Sequence, residues 1–346
     1  MVAQILRALV AAGLLFATLI AAALWLLAHW PPWLAVAVGI TIPLALHAAL
    51  ILTGVVAAVL VRRHAPLPER ARLADSGGLV KAWLLECGSA WKTFLLAQPL
   101  LGDSPLASAD QMTRPPILLV HGHMCNRAVW RPFARWLAAR GHPVASVNLE
   151  PVFAPIERHT ERVHGELRRL LRRSGASQAI VIGHSMGGLV LRAMLRDYGH
   201  DLVSTLVTIG SPHRGTILAR LGAQPNVRQM RPGSEFLREL EAHESQHGLP
   251  RTLVVLSLHD NVVIPVAEQT LAGARVQVWR GHGHLQMVHR PSVWARIMAV
   301  CDRESARTGG VDPSRPTGEA RRRGSDEVAG NEIRPADETS IDSRPA

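Results

Sequence analysis

The sequence predicts an α/β fold: a mostly parallel sheet with helices on both faces, preceded by an N-terminal transmembrane helical hairpin. Three observations carry this. Short, almost wholly apolar runs alternate with helix-like segments from residue 117 onward. Strands buried on both faces read this way, whereas one-sided strands alternate polar with apolar. Two long apolar runs open the chain. A sharp Gly-His-Ser-Met-Gly turn at 183–187 joins a strand-like run to a helix-like one.

The first apolar run extends from Ile5 to Ala28 and the second from Leu34 to Val61. Each is long enough to span a bilayer as a helix. His29-Trp30-Pro31-Pro32-Trp33 breaks them, with two tryptophans suited to the membrane interface. So short a break implies a hairpin. A signal peptide ending near Ala21-Ala22-Ala23 would leave the second run unexplained. Arg7 marks one end of the hairpin, Arg62 and Arg63 the other, and the turn carries neither lysine nor arginine. The positive-inside rule then places both ends, and the domain that follows, in the cytoplasm, at a bacterial inner membrane.

Residues 1–64 are therefore read as the anchor and 65–114 as a connector. Within this amphipathic connector, Val80, Trp83, Leu84, Cys87, Trp91, Phe94 and Leu95 recur at helical spacing over 79–96, a stripe suited either to the bilayer surface or to packing on the domain. The body spans 115–301. Its expected strands are 117–120, 144–149, 178–182, 202–209, 252–258 and 275–279. Expected helices start near Asn126 or Arg127, cover 156–173, follow the turn at 187, and close the body through Trp294 and Ile297. From 302 to 346 the chain is rich in Arg, Gly, Pro, Asp, Glu and Ser, the composition of a disordered tail.

Composition narrows the function classes. The 346 residues carry a net charge of +11, almost all of the positive charge from arginine. No basic patch interleaved with stacking aromatics and no zinc-finger spacing appears, so nucleic acid is not an expected partner. A basic surface suits anionic lipid. Three cysteines, Cys87, Cys125 and Cys301, form no disulfide framework.

The Ser185 turn has the context required of a nucleophile elbow: a strand, a G-x-S-x-G turn and a helix. Gly183 and Gly187 remove side chains where such a turn crowds its neighbours. A serine hydroxyl needs an adjacent base, and the base needs a carboxylate to orient it. Asp260, just past a buried strand, is the candidate acid; Asp197 and Asp201 lie in the wrong places for that role. The Gly281-His282-Gly283-His284-Leu285 loop offers two candidate bases. His284 is preferred because Leu285 can hold its ring by packing, with His282 second. His289 lies near, yet no cysteine or carboxylate cluster completes a metal site, so neither metal nor cofactor is expected. An oxyanion hole would use the backbone N–H of Met186 and of His123, which follows His121-Gly122 at the end of the first strand.

With these residues in place, the chain resembles the bacterial lipase and esterase branch of the α/β-hydrolases. It is also similar to the membrane-associated group related to deacylases of glycosylphosphatidylinositol precursors. The matching stretches are Val-His-Gly-His at 120–123, Gly-His-Ser-Met-Gly-Gly at 183–188, Gly-Ser-Pro-His-Arg-Gly-Thr at 210–216, Asp-Asn-Val-Val-Ile-Pro at 260–265 and Gly-His-Leu at 283–285. The resemblance implies an α/β-hydrolase fold and a Ser185–Asp260–His284 triad cleaving an acyl ester or lipid. It also implies a lid-like insert over 217–250. Met230 to Leu237 is similar to a lipase segment, with Ser234 as a helix cap. No good strand pair precedes residue 117, so the sheet is expected to be a reduced version. A thioesterase or acyltransferase uses the same constellation, and a non-catalytic membrane scaffold is the reading from a different class.

Overall fold

A computed structural model describes residues 1–62, 76–101 and 113–307. Residues 63–75 and 102–112 of the anchor end and connector, and the tail from 308 onward, lie outside these residues. Six strands form one sheet: β1 (Ile117–Val120), β2 (Val144–Val147), β3 (Ala179–His184), β4 (Val203–Ile209), β5 (Arg251–Ser257) and β6 (Arg275–Trp279), in the order β2-β1-β3-β4-β5-β6. Every neighbouring pair is parallel. Among the described residues no strand precedes β1.

The continuous apolar runs are explained by burial on two faces. Leu118, Val120, Val181 and Leu206 join one core, against α5 (Thr160–Ser174) and α6 (Met186–Tyr198). Ile117, Leu119, Ile180, Ile182, Val207 and Val255 join the other, against α4 (Arg131–Ala138) and α9 (Pro291–Arg307). Phe133 of α4 stacks on Trp294 of α9 with ring centroids 5.1 Å apart. α9 runs six residues beyond the expected end of the body, and its Asp302 pairs with Arg114 at 3.2 Å.

Two long apolar helices open the chain. α1 (Val2–Leu26) and α2 (Pro32–Arg62) are antiparallel helices long and apolar enough to cross a membrane, with hydropathies of 2.4 and 2.5. Ala17 and Ala21 of α1 lie so close to Gly39 of α2 that a Cβ there would meet them. Small residues permit this close helix contact in membranes. The hairpin's free ends dock on the body. Val2 and Leu6 pack with Val152, and the Met1 amine reaches Glu150 at 2.8 Å. Gly54 of α2 sits directly against the backbone carbonyl of Asn261.

α3 (76–101) lies between hairpin and sheet, with a π-helical stretch at Trp91–Ala97. Its buried face follows the apolar stripe only in part. Val80 and Leu84, read from periodicity as part of the apolar stripe, are exposed, whereas Ala82, Glu86, Cys87, Ala90 and Thr93 are buried. The helix turns the Glu86 carboxylate to the loop at 283–286, while Phe94, further along it, packs against the core under the sheet. The partners of that carboxylate supply the reason, given below.

The topology fixes where chemistry can occur. From β1 the chain moves outward to β2, then returns to the other side of β1 as β3. The crevice at such a reversal, beyond the carboxyl ends of the strands, is where open α/β sheets bind ligands. Val120 is paired with Gly183 across β1 and β3. The loop beginning at His121 and the turn at Ser185 therefore leave the sheet side by side.

Candidate active site

Ser185 occupies the turn between β3 and α6 with φ 55° and ψ −127°. A non-glycine residue rarely adopts this backbone, which costs on the order of 1–3 kcal/mol and persists only where surrounding structure holds it. Here the hold is visible. The Ser185 N–H donates to Ile209 O of β4 at 2.9 Å, and its carbonyl accepts from Gly188 N at 3.0 Å. A Cβ on Gly183 would lie 2.6 Å from Gly188 N, and one on Gly187 would fall on the carbonyls of Val120 and His121. The glycines thus serve close backbone approach across the turn.

The neighbouring loop comes within contact. A Cβ on Gly122 would sit 2.8 Å from Ser185 Cβ and 3.4 Å from its Oγ. His121 ties this loop to the next strand end, its Nε2 accepting from Leu149 N at 3.1 Å. Burial pushes the His121 pKa down to about 4, so the ring is neutral and can accept. His123 follows, and Met186 opens α6, where the first amides have no intrahelical acceptor. The Asn226 side chain, on α7 (Pro225–Gln229), reaches both. Its Nδ2 lies 3.3 Å from His123 Nδ1 and 3.7 Å from Met186 Sδ, and donates to Val152 O at 2.8 Å. Asn226 was not singled out from sequence, because an Asn in a polar insert carries no periodic signal.

Asp260 and His284 are hydrogen-bonded. Asp260 is fully buried, and its Oδ2 accepts from His284 Nδ1 at 2.9 Å. Its Oδ1 accepts from the amides of Val262 and Val263 at 2.8 and 2.9 Å, and Gln269 Nε2 donates to Oδ2 at 3.1 Å. A carboxylate held by three N–H donors besides the imidazole has its lone pairs occupied and its orientation fixed. The His284 ring lies 4.7 Å, centroid to centroid, from that of His184, the residue before Ser185. Burial opposes the charged ring, but the carboxylates of Asp260 and Glu86 outweigh it, and the His284 pKa is raised. His184, buried and facing His284, is held well below the usual range.

The other histidines point elsewhere. His282 Nδ1 lies 2.5 Å from Arg280 O, and its own carbonyl accepts from Ser257 Oγ. His259 Nδ1 accepts from Gly281 N at 2.7 Å. His289 Nε2 pairs with Thr93 Oγ1 at 3.0 Å. Of the two histidines weighed as base, His284 is the one bonded to Asp260.

The six-residue Gly-Ser-Pro-His-Arg-Gly loop after β4 is fixed from below. Buried Arg192 of α6 donates to His213 O at 2.9 Å and forks onto Glu244 at 2.6 and 2.7 Å. Glu244 lies on α8 (Glu235–His247), which Ser234 caps as the sequence predicts. Removing one member of a buried pair strands the other, at about 3–5 kcal/mol. Arg192→Ala is accordingly expected to lose about that much stability in urea denaturation, while Arg196→Ala, at a more exposed pair, loses under ~1 kcal/mol.

Comparison with known proteins adds the family context. A family model described as a PGAP1-like alpha/beta domain matches residues 154–260. A triacylglycerol lipase of Burkholderia plantarii is 33% identical over 149 residues, covering 38% of this chain and 40% of that one. A pimeloyl-[acyl-carrier protein] methyl ester esterase of Vibrio vulnificus is 33% identical over 118 residues, covering 33% and 44%. The chain thus spans about two-fifths of the length of these relatives. The mature Bacillus licheniformis lipase BlEst2 superposes with a TM-score of 0.50 at 18% identity, covering 57% of this chain and 96% of that one. The fold is that of the α/β-hydrolase lipases and esterases. In this chain the N-terminal apolar hairpin and α3 stand in front of the sheet, and both touch the strand-end loops on which the candidate residues sit.

Proposed function

We propose that the chain is a membrane-anchored serine ester hydrolase acting on an apolar acyl ester through Ser185, His284 and Asp260. The observation that carries this reading is the 2.9 Å bond from His284 Nδ1 to buried Asp260, with the ring against the residue preceding Ser185. With Nδ1–H donated to Asp260, Nε2 carries the lone pair. It takes the Ser185 proton as Oγ attacks the ester carbonyl. The amides of Met186 and His123 hold the oxyanion. Protonated His284, stabilised by Asp260, returns the proton to the leaving alcohol. Water, activated by the same nitrogen, then opens the acyl-enzyme.

The hairpin supports an apolar substrate drawn from a bilayer, because its free ends lie beside the site. Arg7 and Arg62 at those ends favour the cytoplasmic face. The insert at 217–250 serves as the cover, since Asn226 within it touches both oxyanion residues. The test uses purified full-length protein in detergent or vesicles, with esters of graded acyl length, the matching thioesters, and an added alcohol acceptor. Free acid from oxyesters, suppressed by a fluorophosphonate that labels Ser185, is the expected result. Acyl transfer to the alcohol, or turnover of thioesters alone, would replace it with a transferase or thioesterase. No turnover and no labelling would leave a scaffold.

The pH dependence follows from the histidine. Its raised pKa means the inactive, protonated ring persists above the ordinary value of 6.5. The acidic limb of kcat/KM is therefore expected to have its midpoint above 6.5, activity being lost as pH falls through it. A midpoint at or below 6.5, measured in mixed buffers of constant ionic strength, would contradict this.

A further inference from the structure

Glu86 is a buried carboxylate that the mechanism above leaves unused. It lies on α3, about 200 residues before the catalytic loop in sequence, and is nearly inaccessible to water. One oxygen, Oε1, accepts from Leu285 N at 2.8 Å, and the other, Oε2, accepts from Gln286 N at 2.9 Å. These are the two amides that follow His284. The same carboxylate presses on Gly283, where a Cβ would lie 2.6 Å from the carboxyl carbon. On the other side, Asn261 Oδ1 accepts from the His284 amide at 3.1 Å. The histidine loop is therefore gripped at residues 283, 284, 285 and 286 by side chains from two distant segments.

Packing alone does not require a carboxylate here. Burying one costs several kcal/mol unless its lone pairs and charge are compensated. Glutamine would fill the same volume, yet it can accept from only one of the two amides through its oxygen, and its NH2 would face the other. Two donated amides compensate an anion well, and an anion near an imidazole favours the imidazolium. That is the form His284 takes as Ser185 loses its proton. The groups facing His284 are Asp260 from the loop after β5, Glu86 from α3 and His184 from the elbow, the last uncharged.

We propose that Glu86 is a second, positioning carboxylate of this hydrolase: it fixes the loop that carries His284 and helps stabilise its protonated form. The assignment rests on the triad reading above. α3 also connects this carboxylate to the anchor. Trp83, nearly one turn before Glu86, donates from Nε1 to Ala48 O of α2 at 3.0 Å. The placement of Glu86 thus depends on the docked hairpin. Burial leaves the Glu86 pKa raised to about 7, with the amides of Leu285 and Gln286 and His284 opposing the rise. The carboxylate is then most effective in neutral to alkaline conditions.

The test compares full-length wild type, Glu86→Gln, Glu86→Asp and Ser185→Ala on one ester across pH. Glu86→Gln is expected to lower kcat about 10- to 100-fold with KM within about twofold. Its acidic limb is expected to move to lower pH, because the protonated ring has lost a stabilising charge. Glu86→Asp keeps the charge but draws it back by one methylene, so kcat falls while the limb stays near that of wild type. A folded Glu86→Gln with wild-type kcat, or with reduced kcat and an unmoved limb, would overturn the proposal. If Glu86→Gln does not fold, Glu86→Asp decides: wild-type kcat in that variant is equally contrary. A fully active Ser185→Ala would instead sink the triad reading, whatever Glu86 does.

Discussion

Ser185→Ala is expected to lower kcat by about 10⁶-fold, leaving only the catalysis that binding and an oxyanion hole supply. The size follows from the role proposed for the hydroxyl: without Oγ no acyl-enzyme forms, and His284 is left with water as the only nucleophile to activate. Stability should hardly change. Alanine fits the same volume, bears the same φ of 55°, and removes no hydrogen bond on which the turn depends, since the turn is held through the Ser185 amide and carbonyl. Ser185→Gly relieves the backbone instead and is expected to raise the unfolding free energy by roughly 1–2 kcal/mol while being equally inactive. Stopped-time ester assays, fluorophosphonate labelling and urea melts on the three proteins separate loss of chemistry from loss of fold. Retention of more than about a hundredth of wild-type kcat in Ser185→Ala would remove the nucleophile from this position.

Much of the architecture was readable because it rests on local signals. Strands buried on both faces are continuous apolar runs, so β1 and β6 were located at 117–120 and 275–279, as observed. The elbow needed glycines at fixed offsets, and the structure shows the backbone contacts that exclude a Cβ at each. Asp260 was legible from its place at a strand's carboxyl end, and His284 from the loop after the last strand. What periodicity could not show was polar burial that satisfies distant backbone. Glu86 sits within an apolar helix, where a carboxylate ordinarily marks the exposed side; its partners at 285 and 286 are far away in sequence. The same blindness hid Arg192, which looks like a surface arginine until Glu244 and His213 O are in place. Val80 and Leu84 belong to a stripe that suits either a bilayer or the domain, and they are exposed on the helix that ties the body to the apolar hairpin.

Asp260→Asn should cost about 10⁴-fold in kcat while leaving the site's shape intact. In the native site, Oδ1 accepts two backbone amides, and Oδ2 accepts from both His284 and Gln269. Asparagine can keep its oxygen on the amides of Val262 and Val263. Its NH2 must then face His284 Nδ1 and the Gln269 donor. The imidazole answers by accepting at Nδ1, which moves its proton to Nε2, the atom that should receive the proton of Ser185. The base is thus silenced by tautomer, with Gln269 adding a donor–donor conflict. Loss of the carboxylate also removes a charge that raises the His284 pKa, so the acidic limb should move down as kcat falls. A simple weakening of the fold would lower activity without moving that limb. An Asp260→Asn protein that keeps a tenth or more of wild-type kcat would show that His284 is oriented by something other than Asp260, and the two-carboxylate arrangement around it would then have Glu86 as its principal member.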